Sequence, residues 1–156
     1  MDTEGFRAEF EMTAQQMLQI AHDFVDHGGD VETIWVYFTL EDGFVSSGTA
    51  YRVSGTVYEA YEVDKGLASP VGAWENQEGI VDPISDLAFQ FLLATDEYDK
   101  VPTRIIIRYD VRSQRMDADF GYDAIDANTE DDMGTVMDKW MKNLKATGEA
   151  KAAFLP

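Results

Sequence analysis

A chain of 156 residues with 30 acidic and 12 basic side chains, formal net charge −18, should repel nucleic acid and anionic membranes and attract cationic partners. It has no cysteine, which excludes disulfide and thiolate chemistry and suits a reducing cytosol. The start, MDTEGFRAEFEM, carries acids where a secretion signal needs a basic region and an apolar run, and no run of about 18 apolar residues is present to span a membrane. The length predicts one cytoplasmic domain over 1–156, with a core that needs no staples and a frayed tail at 149–156.

The first helix is predicted from Thr3 to about His27, because Phe6, Phe10, Met17, Ala21, Phe24 and Val25 recur at helical spacing before Gly28-Gly29 ends it. Thr33–Leu40 is a strand with Ile34, Val36, Phe38 and Leu40 on one side and Trp35, Tyr37 and Thr39 on the other. After the turn signal Glu41-Asp42-Gly43, Phe44–Val53 and Thr56–Val63 complete a three-stranded meander around Ser54-Gly55. Ser46, Ser47 and Gly48 weaken the middle strand and predict a bulge or short edge there. From Asp64 to Asp82 the periodicity is lost in a long connection of the functional or mobile kind, with Trp74 at its centre.

Asp82-Pro83 then reads as a helix cap and first-turn proline, followed by the stripe Ile84, Leu87, Ala88, Phe91 and Leu92, ending near Asp96. A hairpin over Val101–Asp123 follows, in which Ile105, Ile107, Tyr109 and Val111 alternate outbound and Met116, Ala118, Phe120 and Tyr122 on the return. With a loop at Arg112–Arg115, the predicted register sets Ile107 opposite Phe120, Arg108 opposite Asp119 and Arg104 opposite Asp123, with the charges on the outer surface. The last helix is announced by Thr129 and Asp132, resembling a capping box, and carries Met133, Val136, Met137, Trp140, Met141 and Leu144 on one stripe. Lys139, Lys142 and Lys145 stand towards its end, as the helix dipole favours, and Gly148 stops it.

The order α-β-β-β-α-β-β-α predicts an α+β domain: a mainly antiparallel five-stranded sheet with helices packed on one face. The other face would then stay open, lined by Trp35, Tyr37, Arg108, Asp117 and Asp119. Charge is uneven along the chain. Residues 1–99 hold 20 acids and only Arg7, Arg52 and Lys65 as bases, whereas Lys100–Arg115 holds five bases against Asp110 alone.

Candidate chemistry is sparse. Asp110, Asp117, Asp119 and Asp123 could gather a divalent cation on oxygen ligands, giving a metal-binding domain or metal-dependent enzyme as one reading; their arginine partners across the hairpin make an ordinary ladder the other. His22 and His27, five apart on a helix, would point to different faces and not share a metal. No Ser stands in a G-x-S-x-G turn and no Gly-rich phosphate cradle is present, so no cofactor is expected. The surface remains: Trp35, Tyr37 and Trp74 among acids are ingredients of an interface hot spot for a basic partner. Alternatively, Trp35 is covered by the 64–82 loop, with Trp74 as its packing neighbour.

The element order, Trp35 in the first strand, the helix Ile84–Asp96, the hairpin from Pro102-Thr103 through Asp119-Phe120-Gly121-Tyr122-Asp123, and Trp140 in the last helix resemble the YezG-like family of bacterial immunity proteins. That resemblance implies a small acidic cytoplasmic protein encoded beside a secreted toxin of the polymorphic or LXG type, acting by binding it and having no enzymatic activity. The partner it implies is a cationic toxin domain, often a nuclease, with no role for nucleic acid or membrane. Trp35, Tyr37, Trp74, Asp117 and Asp119 are the expected toxin-binding residues. A generic acidic adaptor that mimics nucleic acid is the further alternative, and it would bind many basic proteins indiscriminately.

Overall fold

The structure is a computed structural model and describes residues 3–41, 43–95, 101–122 and 133–147. Its elements are helix α1 (Thr3–Phe24), strands β1 (Val31–Glu41), β2 (Phe44–Val53) and β3 (Thr56–Glu59), helix α2 (Glu78–Ala94), strands β4 (Arg104–Asp110) and β5 (Arg115–Gly121), and helix α3 (Met133–Thr147). The strands form one antiparallel sheet in the order β3-β2-β1-β4-β5, so the fold is α+β with the predicted order of elements. No described helix is long and apolar enough to cross a membrane. The Thr129–Asp132 cap, Asp42, Asp96, Lys100, Asp123, Gly148 and the 149–156 tail lie outside the described residues.

β1 is central because both its faces are apolar. Ile34, Val36, Phe38 and Leu40 join Phe10, Met17, Ala21, Ile84, Phe91, Ile105 and Ile107 in the main core, covered by α1 and α2. Trp35 and Tyr37 on the other side join Ala50, Ile106, Trp140, Met141 and Leu144 in a second core. α3 therefore lies on the face opposite α1 and α2. This corrects the expectation that all helices pack on one face: a strand this apolar on both sides has to be covered on both.

The remaining corrections are local. α1 ends at Phe24, three residues before His27, and Asp26 and His27 take left-handed φ values of 51° and 54° as the chain reverses. β3 stops at Glu59, and Ala60–Lys65 forms a 3₁₀ helix in place of the strand's predicted second half. The Glu59 amide donates to the Glu62 side chain (3.2 Å), closing the first turn of that helix. α2 starts at Glu78, so Pro83 lies inside it and not at its first position. The winding of residues 73–77 leads into the helix before the proline is reached, with Asn76 N–H donating to Gly72 O (3.0 Å) and Gly79 N–H to Asn76 O (2.8 Å).

β2 runs regularly against β1 from Phe44 to Tyr51, and the irregular pairing lies at Val31/Thr33, not at Gly48. A Cβ at Gly48 would stand 3.0 Å from Met137 Sδ, so the glycine marks where α3 approaches the sheet. In the hairpin, Ile107 pairs with Ala118, Arg108 with Asp117 and Arg104 with Gly121, two residues from the predicted register. The turn at 111–114 closes one residue early, with Gln114 at φ 57°. A slip of two keeps every side chain on its predicted face. Arg104, however, is only 2% exposed, so, against expectation, it does not stand in solvent.

Candidate interaction surface

The long connection after β3 is built, not loose. Asp64, in the 3₁₀ helix, accepts hydrogen bonds from Val71 N–H (2.7 Å) and Ala73 N–H (2.8 Å), one on each carboxylate oxygen. Asp30 accepts from Ala68 N–H (2.9 Å), fastening the loop to the chain just before β1. Val63, Leu67 and Ala73 are buried against the main core, and Gly72 turns the chain at φ 72°. Charged acceptors holding backbone donors are among the stronger hydrogen bonds, so the segment around Trp74 is fixed from below.

Trp74 stands out of this platform, 63% exposed, with the Tyr61 ring edge-on at 5.8 Å. Gln77 donates to the Trp74 carbonyl (3.0 Å). A shallow groove of about 400 Å³ runs from Trp74 past Glu75, Gln77, Glu78, Val81 and Asp82. Among the described residues, Glu75, Glu78 and Asp82 form no ion pair, and residues 66–99 contain no lysine or arginine at all. An exposed indole rimmed by uncompensated carboxylates favours a cation: stacked on the ring and paired with the rim, a lysine or arginine gains from both.

Beside Tyr61 lies a charged tie between α3 and the end of β3 with the 3₁₀ helix that follows it. Lys145 of α3 reaches Glu62 (2.6 Å) and Glu59 (3.5 Å). Burial raises the Glu62 carboxyl, but hydrogen bonds from Lys145 and the Glu59 amide outweigh it and hold the group below its usual range. Burial likewise lowers Lys145, and the two glutamates overcome it and raise the amine. A hydrogen bond to Glu59 and that carboxylate's charge push the Tyr61 hydroxyl up. α3 thus pairs with Glu59 and Glu62, which lie on either side of Tyr61 in sequence order.

The structure does not gather the five expected contact residues. Trp35 and Tyr37 are each 1% exposed, under α3, and make no open face. Nor does the 64–82 loop cover Trp35. Its ring lies between the guanidinium groups of Arg52 (5.3 Å) and Arg108 (5.8 Å), while Tyr37 stacks on Trp140 at 4.6 Å. Asp117 and Asp119 are exposed on β5, at the sheet edge opposite β3 and the Trp74 platform. The signal for burial was present in β1, whose two apolar faces require two covers. Nothing in the sequence marked Asp64 as the residue that pins the loop.

The other candidate groups are accounted for as follows. Asp110 takes Arg108 (3.4 Å) and the Thr33 hydroxyl (3.2 Å), and Asp117 lies 3.4 Å from Arg115 Nε. No three His, Cys, Asp or Glu side chains among the described residues are grouped to hold a metal ion. His22 and His27 do meet, with ring centroids 4.2 Å apart, against the expectation from helical spacing. The left-handed turn after Phe24 folds His27 back, where its Nε2 lies 2.6 Å from Asp23. Burial and the neighbouring His27 lower the His22 pKa, with Asp23 opposing.

The chain matches no protein-family model and no curated protein.

Proposed function

We propose that this chain is an immunity protein: it binds a cognate cationic toxin domain, a nuclease, and blocks that enzyme's basic cleft without performing chemistry itself. The observation that carries this reading is the Trp74 platform, an aromatic anchor held from below by Asp64 and surrounded by carboxylates that no cation in the described structure neutralises. Interface hot spots are of this kind, a rigid aromatic within a polar rim. The net charge of −18 adds long-range attraction to a basic partner and speeds encounter. The resemblance of the sequence to YezG-like immunity proteins favours the same class.

The test is rescue. Cells expressing the toxin encoded beside this chain should survive when the chain is co-expressed, and purified chain should bind the toxin domain one to one. Trp74→Ala should weaken that binding by about 2 kcal/mol or more, while leaving the far-UV spectrum and urea midpoint unchanged, because the side chain is exposed. Failure of the wild-type chain to protect, or turnover of a substrate by the chain alone, overturns the proposal.

A further inference from the structure

We infer that the surface continues from Trp74 along the outward side of α2 and receives a cationic amphipathic helix of the partner. This rests on the reading of the Trp74 platform as a protein-binding surface and names the shape that fits it.

Two rows run side by side on α2. Val81, Ser85, Phe89 and Leu93 fall at intervals of four, as do Glu78, Asp82, Asp86 and Gln90. The buried side of the helix is Ile80, Ile84, Ala88 and Phe91; within the two rows only Ser85 turns to the sheet, half-buried, and the other members are exposed. Phe89 is 43% and Leu93 62% exposed, and both are large apolar groups left in water. The row from Val81 to Leu93 rises about 18 Å at 1.5 Å per residue and, at 3.6 residues per turn, winds about a third of the way round the helix, an inclined ridge of the kind that packs into another helix's groove. Val81 also lines the groove beside Trp74, so the apolar row and the indole form one track. α2 is anchored beneath it: Ser85 bonds Ser47 of β2 (2.8 Å) and Ala88 and Phe91 fill the core.

An exposed ridge of Val81, Phe89 and Leu93, interrupted at Ser85 and flanked by the carboxylates of Glu78, Asp82 and Asp86, is complementary to a helix with an apolar stripe and lysines or arginines along one flank. A strand would match neither the interval nor the one-sided charge. A second copy of this chain is disfavoured by its charge, since two copies meeting here would oppose Asp82 and Asp86 with further carboxylates.

The probe is a synthetic helix-forming peptide of about 18 residues made of leucine, alanine and lysine, with leucines in one stripe and lysines along one flank. Its control is a shuffled peptide of the same composition without the stripe. Binding to the full chain is followed by calorimetry and by amide shifts. The striped peptide should bind and move amides of residues 78–94, and the shuffled one should bind at least about tenfold more weakly. Phe89→Gln with Leu93→Gln should also cost about tenfold or more, and Asp82→Asn with Asp86→Asn should lower the salt dependence. Equal binding of both peptides, or undiminished binding by the Phe89/Leu93 variant, overturns the inference. So does a dimer of the wild-type chain in sedimentation that this variant dissolves. Because no toxin is present, the outcome separates from the rescue test. Rescue without helix binding defeats only this inference, and helix binding without rescue defeats only the toxin reading.

Discussion

Buried polar atoms are where single residues decide most. Tyr37 is buried against Trp140, and among the described residues neither its hydroxyl nor Trp140 Nε1 has a hydrogen-bond partner. Burial pushes the phenol's pKa up, Arg104 opposing. A desolvated hydroxyl without a partner costs stability, so Tyr37→Phe should be neutral or stabilising by about 1 kcal/mol in urea unfolding. A loss above that would mean the hydroxyl makes a bond that matters. His22 gives the pH-dependent counterpart. Its folded pKa lies below its unfolded value, so its contribution is fully present above about pH 6.5 and is lost as pH falls through the folded value. The urea midpoint of the wild-type chain should therefore drop between neutral pH and pH of about 5.5, and less so in His22→Gln. Equal pH slopes in the two proteins would assign the loss elsewhere.

At the scale of elements, the second core is small and depends on α3. Trp140, stacked on Tyr37, is its largest contribution from the helix, and truncating such a side chain to alanine costs about 3–5 kcal/mol. The loss should be local. Trp140→Ala should raise amide exchange in α3 while amides of α1, α2 and β1 keep their protection, as two separately covered faces allow. Uniform loss of protection would show one cooperative unit instead. The same two faces explain what could be read in the chain and what could not. Period-two alternation gave the strands and the side each residue takes, which survived even a two-residue error in hairpin register. Alternation does not say what covers a side, so Trp35 and Tyr37 were expected on an open face, or Trp35 under the 64–82 loop, when α3 lies over them. Turn chemistry set the other misses. Residues 26 and 27 in the left-handed region joined two histidines that helical spacing separates, and the winding before Glu78 began α2 ahead of its proline. The Trp74 platform was visible as an aromatic in a long loop, but its rigidity depends on Asp64 reaching seven and nine residues ahead, a pairing without periodicity.

For the whole molecule, 30 acids against 12 bases mean that like-charge repulsion opposes folding wherever it is not screened. The ion pairs that oppose this, Arg7–Glu11 and Lys65–Glu62 among them, are surface pairs of small worth. The screening length falls from about 30 Å at 0.01 M salt to about 10 Å at 0.1 M, which removes repulsion across the protein before it removes contacts within one pair. Sodium chloride added over that range should therefore raise the thermal midpoint of the free chain. The same salt should slow association with a cationic toxin domain, since steering acts over the distances that are screened first. Measured together, stability and association rate should move in opposite directions, with dissociation, which the proposed contacts at Trp74 would govern, changing least. A midpoint that falls with salt would show that ion pairs, not repulsion, dominate the fold. An association rate indifferent to salt would remove charge from the account of how the partner is found.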